Sequence, residues 1–270
     1  MKKTYKQKYT KLNYKSINLR KNIIDVVSKS KKGHLGSAFS CLEIISVIYD
    51  FFIDKGSKNE FILSKGHGCL GLYSVLYDKG IIDKKTLLSF CNFSSLLGGH
   101  PEHTIPSVSF STGSLGHGFS AGIGMSIANR IKKNKNKIFV LLGDGEINEG
   151  SVWEGFLSLK KHNLSNMITL IDYNKMQSYG HIKDILELEP LRKKMESFGF
   201  KVFEINGHSR NEIHSSLKKS LEFKNKPVVI ICHTIKGKGI PIMENNPSWH
   251  YKSKIKDDEL IKLQNYFEKK

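Results

Sequence analysis

An α/β fold, with a central parallel sheet and helices on both faces, is predicted by two features of this 270-residue chain. Through its second half, apolar runs of strand length alternate with segments of helix length, the order that a parallel sheet requires. The most apolar of those runs also lack polar alternation, as strands covered on both faces do. No repeat, low-complexity tract or Pro/Ser-rich linker interrupts the chain. Residues 15–270 are therefore expected to form one continuous domain behind a basic arm of residues 1–14.

Residues 16–29 read as a helix, with Ile17, Leu19, Ile23, Ile24 and Val27 near helical spacing. The segment KKGHLGSAFS is expected to be a Gly-bearing loop leading into a second helix over residues 41–53. FILSKGHG has the pattern of a short strand breaking into a Gly-rich turn, followed by a helix through Leu76. Residues 91–118 are irregular and rich in Gly, Ser and His, and a connection of that length in a compact domain is usually functional or disordered. The regular part then runs as strand KIFVLLGDG, helix 148–161, strand NMITLIDYN, helix PLRKKMESFG, strand FKVFEI, helix 211–223 and strand PVVIICHT.

Composition narrows the function classes. Hydrophobic residues make up 39% and charged residues 25%, an ordinary globular balance. No apolar run approaches the roughly 18 residues of a membrane span. The basic start lacks the apolar region of a secretory signal, so the cytoplasm is the expected compartment and no membrane partner is expected. The four cysteines are scattered without a CxxC pair and read as reduced thiols. The net charge of +18 suggests nucleic acid, but of 43 basic residues only Arg20, Arg130, Arg192 and Arg210 are arginines. Arginine carries most bidentate recognition of bases and phosphates, and the lysines are spread along the chain, so no nucleic-acid partner is expected. Residues 1–21 hold eight basic side chains and no acidic one, the composition of a solvated arm.

In parallel α/β sheets, ligands bind outside the carboxyl ends of the strands, which directs attention to residues 143–150, 172–177 and 234–241. GDGEINEG stands where a strand gives way to a helix. Gly143 and Gly145 let the backbone turn and approach a bulky anion, while Asp144 adds a carboxylate that would repel a diphosphate unless a cation lies between them. Mg²⁺ takes oxygen ligands and keeps phosphate oxygens in its shell. Asn174 offers an amide oxygen in IDYNKMQ, and Met176 a backbone carbonyl. Asp144 and Asn174 are 30 positions apart, one strand–helix–strand unit, so they are expected at adjacent strand ends. A GDG triplet alone is also a common turn, and the pairing with Asn174 separates the two readings.

GDG followed by DYN resembles the thiamine-diphosphate motif, and GDGEINEGSVWEG resembles transketolase in particular. The resemblance implies Asp144, Asn174 and the Met176 carbonyl as ligands of Mg²⁺ (or Ca²⁺ or Mn²⁺). It implies Gly143, Gly145 and Glu146 beside the cofactor, and Glu149 at a subunit interface. KGHLGSA is similar to an early family segment and implies His34 near the reacting carbons. LSKGHG implies His67 on the diphosphate side, GGHPE implies His100 at the donor hydroxyl, and GKGIPIMENNPSWHYK implies His250 as the last active-site histidine. STGSLGHGFSAGIG implies Gly113, Ser114 and Leu115 beside the cofactor, ahead of a Gly/Ala-rich helix suited to close packing or to an interface.

The resemblance covers about residues 15–251, but only the first domain of a full transketolase. It therefore implies a C-terminal partner subunit carrying the rest, self-association into a heterotetramer, and sugar phosphate substrates exchanging a two-carbon ketol unit. Three alternatives stand beside it: a deoxyxylulose-phosphate synthase-like enzyme, the alpha subunit of a 2-oxoacid dehydrogenase, and a non-catalytic cofactor-binding scaffold.

Overall fold

The computed structural model describes residues 12–53, 56–178 and 180–268. The basic arm lies outside the described residues except for its last three, and of these Tyr14 already opens a helix. That helix, α1 (Tyr14–Ser30), starts where the Asn13 side chain accepts from the Ser16 N–H and so satisfies one of the helix's unpaired donors. It is followed by α2 (Leu35–Phe51), β1 (Glu60–Leu63), α3 (Cys69–Asp78), α4 (Lys84–Leu88), α5 (His117–Ile131), β2 (Ile138–Gly143), α6 (Gly150–Lys161) and β3 (Met167–Tyr173). Then come β4 (Met176–Gln177), β5 (Gly180–His181), α7 (Ile182–Ile185), α8 (Leu191–Ser197), β6 (Lys201–Asn206), α9 (Arg210–Ser220), β7 (Val228–His233) and α10 (Asp257–Glu268).

The five main strands form one parallel sheet in the order β1-β2-β3-β7-β6. Side chains alternate between its faces with a period of two. Phe139, Leu141, Ile168, Leu170, Ile230 and Cys232 enter the core shared with α1, α2, α3, α9 and α10. Val140, Leu142, Met167, Ile171, Val229 and Ile231 enter a second core under α5, α6 and α8. Both faces of the central strands are thereby covered, which is why those strands read as unbroken apolar runs. Edge strand β6 instead buries only Val202 and Ile205 among partly exposed positions.

Two expectations are corrected. The supposed loop 31–40 is helical from Leu35, because Leu35, Ala38 and Phe39 are all fully buried and that burial overrides the weak propensity of Gly36, Ser37 and Ser40. The helix α10 was not expected at all. The Gly/Ala-rich α5 packs closely on three sides: a Cβ on Gly118 would lie 2.8 Å from Ser64 just past β1, one on Gly122 would lie 2.6 Å from a Val140 methyl in the sheet, and one on Gly155 of α6 would lie 2.8 Å from the Phe119 ring of α5. Gly122→Val should therefore destabilise the chain by about 1–3 kcal/mol through overpacking, while Gly124→Ala, which faces open space, should not. Urea midpoints of the two variants check this.

Candidate active site

Gly143 of β2 pairs with Asp172 of β3, so Asp144 and Asn174, each just past its strand, are neighbours as the spacing required. The Asp144 carboxylate accepts from the Gly145 N–H at 2.9 Å and the Lys175 N–H at 2.5 Å. Asn174 Oδ1 accepts from the Met176 N–H at 3.1 Å, which folds the Met176 carbonyl back toward the same space. Asp144, Asn174 and Met176 line one cavity of about 190 Å³ together with Gly143, Gly145, Lys65 and Lys236. The oxygens on offer are a carboxylate, an amide and a peptide carbonyl. That is a hard donor set, suited to Mg²⁺ or Ca²⁺, so the residues present fit the implied cation.

The charges around this cavity explain what else it can hold. Asp172 is fully buried and accepts from Lys65, Thr234, Ser40 at 2.5 Å and Asn174 at 3.3 Å. Burial pushes its pKa up, but Lys65 and the donated hydrogen bonds outweigh that and hold it below the usual range. Burial likewise opposes the Lys65 ammonium, and Asp172 reverses the sign and keeps it charged. Lys236 donates to the Met176 carbonyl at 3.2 Å, and burial followed by repulsion from Lys65 pushes it down to about 8. Asp144 moves the other way, pushed up to about 7 by burial and then by Asp172. Lys65, paired with Asp172, and Lys236 stand beside the cation-binding corner, so with a cation bound this end of the cavity would suit an anion such as a diphosphate. Sequence reasoning missed Lys65, Lys236 and Asp172. The signal was present, since the lysines stand inside SKGHG and IKGKG, next to glycines that leave room for a ligand.

The four motif histidines converge. The His34 ring centroid lies 5.6 Å from His67, 6.0 Å from His100 and 5.4 Å from His250, and His67 lies 5.6 Å from His250. They come from four separate places: His34 precedes α2, His67 sits in a 3-10 turn after β1, His100 lies in the irregular segment, and His250 follows a short turn near the end. An antiparallel bridge holds the first and last together, with the Gly33 and Lys252 backbones exchanging hydrogen bonds of 2.9 and 3.1 Å. Gly113 backs His100, with a Cβ there 3.5 Å from the ring.

Burial, followed by nearby cationic and histidine charge, pushes His34 down to about 4 and His250 to about 3, and His67 is held low in the same way. His100 is also lowered, chiefly by burial. The rings are therefore neutral at pH 7, not poised near it. A histidine with a depressed native pKa contributes stability above its unfolded value of roughly 6.5, and that stability is lost as pH falls toward the native value. The denaturation midpoint should accordingly fall between pH 6.5 and about 4, the lowered value of His34. The fall should be shallower in His34→Gln/His250→Gln, which has less to titrate there; equal slopes by chemical denaturation would contradict the assignment.

The remaining expected residues are placed less uniformly. Leu115 and Glu146 line the cavity, whereas Ser114 is exposed and does not. Both Glu146 oxygens are already engaged, accepting from Ser64 at 2.5 Å, Gly116 N–H at 2.8 Å and Gly143 N–H at 3.0 Å, so this carboxylate braces three loops around the site. Gly116 sits there at φ 83°, where a side chain would be strained and would also strike Ser151. Glu149 is exposed at the start of α6.

A parallel α/β domain with an oxygen-lined cation corner, two buried lysines and four histidines matches known proteins along nearly its whole length. The chain belongs to the transketolase family, whose thiamine diphosphate binding domain matches residues 13–269. It is 37% identical over 269 residues to an apulose-4-phosphate transketolase subunit of Actinobacillus succinogenes, covering 96% of this chain and 97% of that one. It is also 34% identical over 241 residues to a 6-deoxy-6-sulfo-D-fructose transketolase subunit of a Clostridium species, covering 86% and 87%. The transketolase of Campylobacter jejuni superposes with a TM-score of 0.85 at 27% identity, over 95% of this chain but only 43% of that one. In extent, then, the chain is the N-terminal, cofactor-binding subunit of a two-chain transketolase.

Proposed function

We propose that this subunit holds a divalent cation, Mg²⁺ or in its place Ca²⁺ or Mn²⁺, on Asp144, Asn174 and the Met176 carbonyl. With a C-terminal partner subunit it transfers a two-carbon ketol unit from a ketose phosphate to an aldose phosphate. The observation that carries this reading is the convergence of one cation corner, two buried lysines and the histidines His34, His67 and His250 on a single opening at the carboxyl ends of β1, β2 and β3, with His100 against His34 behind them. Bound thiamine diphosphate supplies the carbanion chemistry, which no side chain can perform.

The chain's own residues do the rest. Lys65 and Lys236 neutralise the diphosphate, and Gly143 and Gly145 let it approach the backbone. His67 closes the diphosphate side. His34, His100 and His250 are neutral, and His100 and His250 both face the His34 ring, so each can both donate to and accept from sugar hydroxyls. Gly113 and Leu115 border the rest of the cofactor. Glu149, exposed beside the Gly116 turn, belongs to a self-association face that completes a heterotetramer. The proposed work on sugar phosphates belongs to the cytoplasm; no described helix is long and apolar enough to cross a membrane.

Ketol transfer measured with this chain alone, and mixed with the product of the neighbouring gene, tests the reading. Both samples contain Mg²⁺, thiamine diphosphate and a panel of ketose and aldose phosphates. Activity in the mixture only is expected; activity of the single chain, or a mixture releasing CO₂ from pyruvate instead, would overturn it.

A further inference from the structure

The hairpin that follows Asn174 carries a polar side chain, Gln177, without a role in the proposed chemistry. Gln177 is half-buried and lines the cavity that contains the cation corner. Its side chain lies over the GDG turn: a Cβ on Gly145 would come within 2.9 Å of Gln177 Cγ and 3.3 Å of its amide carbon. Part of the room left by Gly145 is therefore taken by this side chain, at the cation end of the cavity. Met176 and Gln177 stand between two non-glycine residues in left-handed conformation, Lys175 at φ 64° and Ser178 at φ 46°. Such conformations persist only where surrounding contacts enforce them, and they gather at loops that hold ligands.

Hydrogen bonding fixes which way the Gln177 amide faces. Asn148 Nδ2 lies 2.9 Å from Gln177 Oε1 and 3.4 Å from the Leu186 carbonyl. A peptide carbonyl can only accept, so Asn148 turns its NH₂ toward Leu186, and that same NH₂ requires an oxygen from Gln177. The Gln177 NH₂ is thereby left as the open end of the amide, with no acceptor among the described residues. A neutral donor at this place complements a polyanion. A diphosphate has more acceptor oxygens than one cation and the neighbouring lysines saturate, and a buried oxygen left unpaired costs free energy.

We infer that Gln177, oriented by Asn148, is a diphosphate-binding residue whose NH₂ donates to a phosphate oxygen of the bound cofactor. The inference rests on the cofactor site of the proposed function. It gives the hairpin two tasks on consecutive residues: Met176 turns a carbonyl to the cation, and Gln177 turns a donor to the anion.

The test is equilibrium binding to the assembled two-chain complex in Mg²⁺, read by calorimetry with thiamine diphosphate and separately with inorganic pyrophosphate, so it needs no turnover. It compares wild type, Gln177→Glu and Gln177→Met. Gln177→Glu keeps an oxygen for Asn148 but puts a second, negatively charged oxygen where the NH₂ was, whereas Gln177→Met removes both groups. Gln177→Met should raise the Kd of both ligands about tenfold, the effect of losing one hydrogen bond to a charged group. Gln177→Glu should raise it further, through repulsion. Weakening in Gln177→Met alone would make the residue a brace for the hairpin and overturn the inference. Weakening in Gln177→Glu alone would show a nearby charge without a donated bond, and overturns it equally. If wild type binds both ligands and the variants match it, the inference fails and the cofactor site stands; if wild type binds neither, both fail.

Discussion

Asp144→Asn is expected to abolish cofactor-dependent activity of the assembled enzyme while leaving the cofactor-free fold at least as stable as the wild type. The two effects have opposite signs for one reason. In the protein alone, the Asp144 carboxylate is buried and lies near Asp172, and both push its pKa up to about 7. A carboxylate raised above its unfolded value costs stability as pH rises through the native value, so an amide of the same shape removes that cost above pH 7. With a divalent cation present the same carboxylate carries the only negative charge among the three proposed ligands, and an amide cannot replace it. Loss of an outer-shell partner alone typically costs about 10–100-fold in metal affinity or activity, and loss of the charged ligand should exceed that. Melting curves with and without Mg²⁺ and thiamine diphosphate, alongside ketol transfer, check both halves. A variant that still gains full thermal protection from the pair would remove Asp144 from the metal site.

Glu43→Ala should be the most destabilising single substitution away from the active site, by roughly 3–5 kcal/mol. Arg20 and Glu43 are both fully buried and pair at 2.5 Å, with a second contact at 3.2 Å. Arg20 also donates to the carbonyls of Ser16, Phe39 and Lys238, and His208 Nδ1 lies 2.9 Å from the other Glu43 oxygen. Burial alone would raise the Glu43 pKa, but Arg20 and His208 hold it well below the carboxylate range. The Ile235 N–H donates to His208 Nε2 at 2.9 Å, so the ring proton resides on Nδ1 and points at Glu43. This chain of contacts fastens the segment bearing Lys236 to α1 and α2. Removing the carboxylate leaves a buried guanidinium unpaired, whereas Arg20→Met/Glu43→Leu removes both charges and should cost much less. Denaturant titration of the two variants separates the explanations, and equal losses would show that packing, not charge, holds this region.

Much of the site was legible before folding. The Asp144–Asn174 pair could be read because both residues end apolar strands separated by one helix, and that local order places neighbouring strand ends side by side. The glycine-flanked histidines could be nominated, but only by resemblance. A histidine's own sequence position says nothing about the three other rings it will meet. Asp172 and the two buried lysines were missed for a related reason. In a chain with 43 basic residues a lysine carries no signal of its own, and only burial makes Lys65 and Lys236 exceptional. The start of α2 was missed because Gly and Ser there disfavour a helix locally, and the missed α10 opens on Asp257, Asp258 and Glu259, an acidic first turn that was readable.

The sheet, its central strands and the pairing of Asp144 with Asn174 follow from strand burial and strand–helix alternation, which are local patterns. Which charges meet depends on long-range packing. Lys65 reaches Asp172 across 107 positions, and the Gly33–Lys252 bridge brings His250 and Tyr251 onto His34. The energy of a charge or a ring depends on what excludes water from it, and in this chain those neighbours come from distant segments that no local pattern joins.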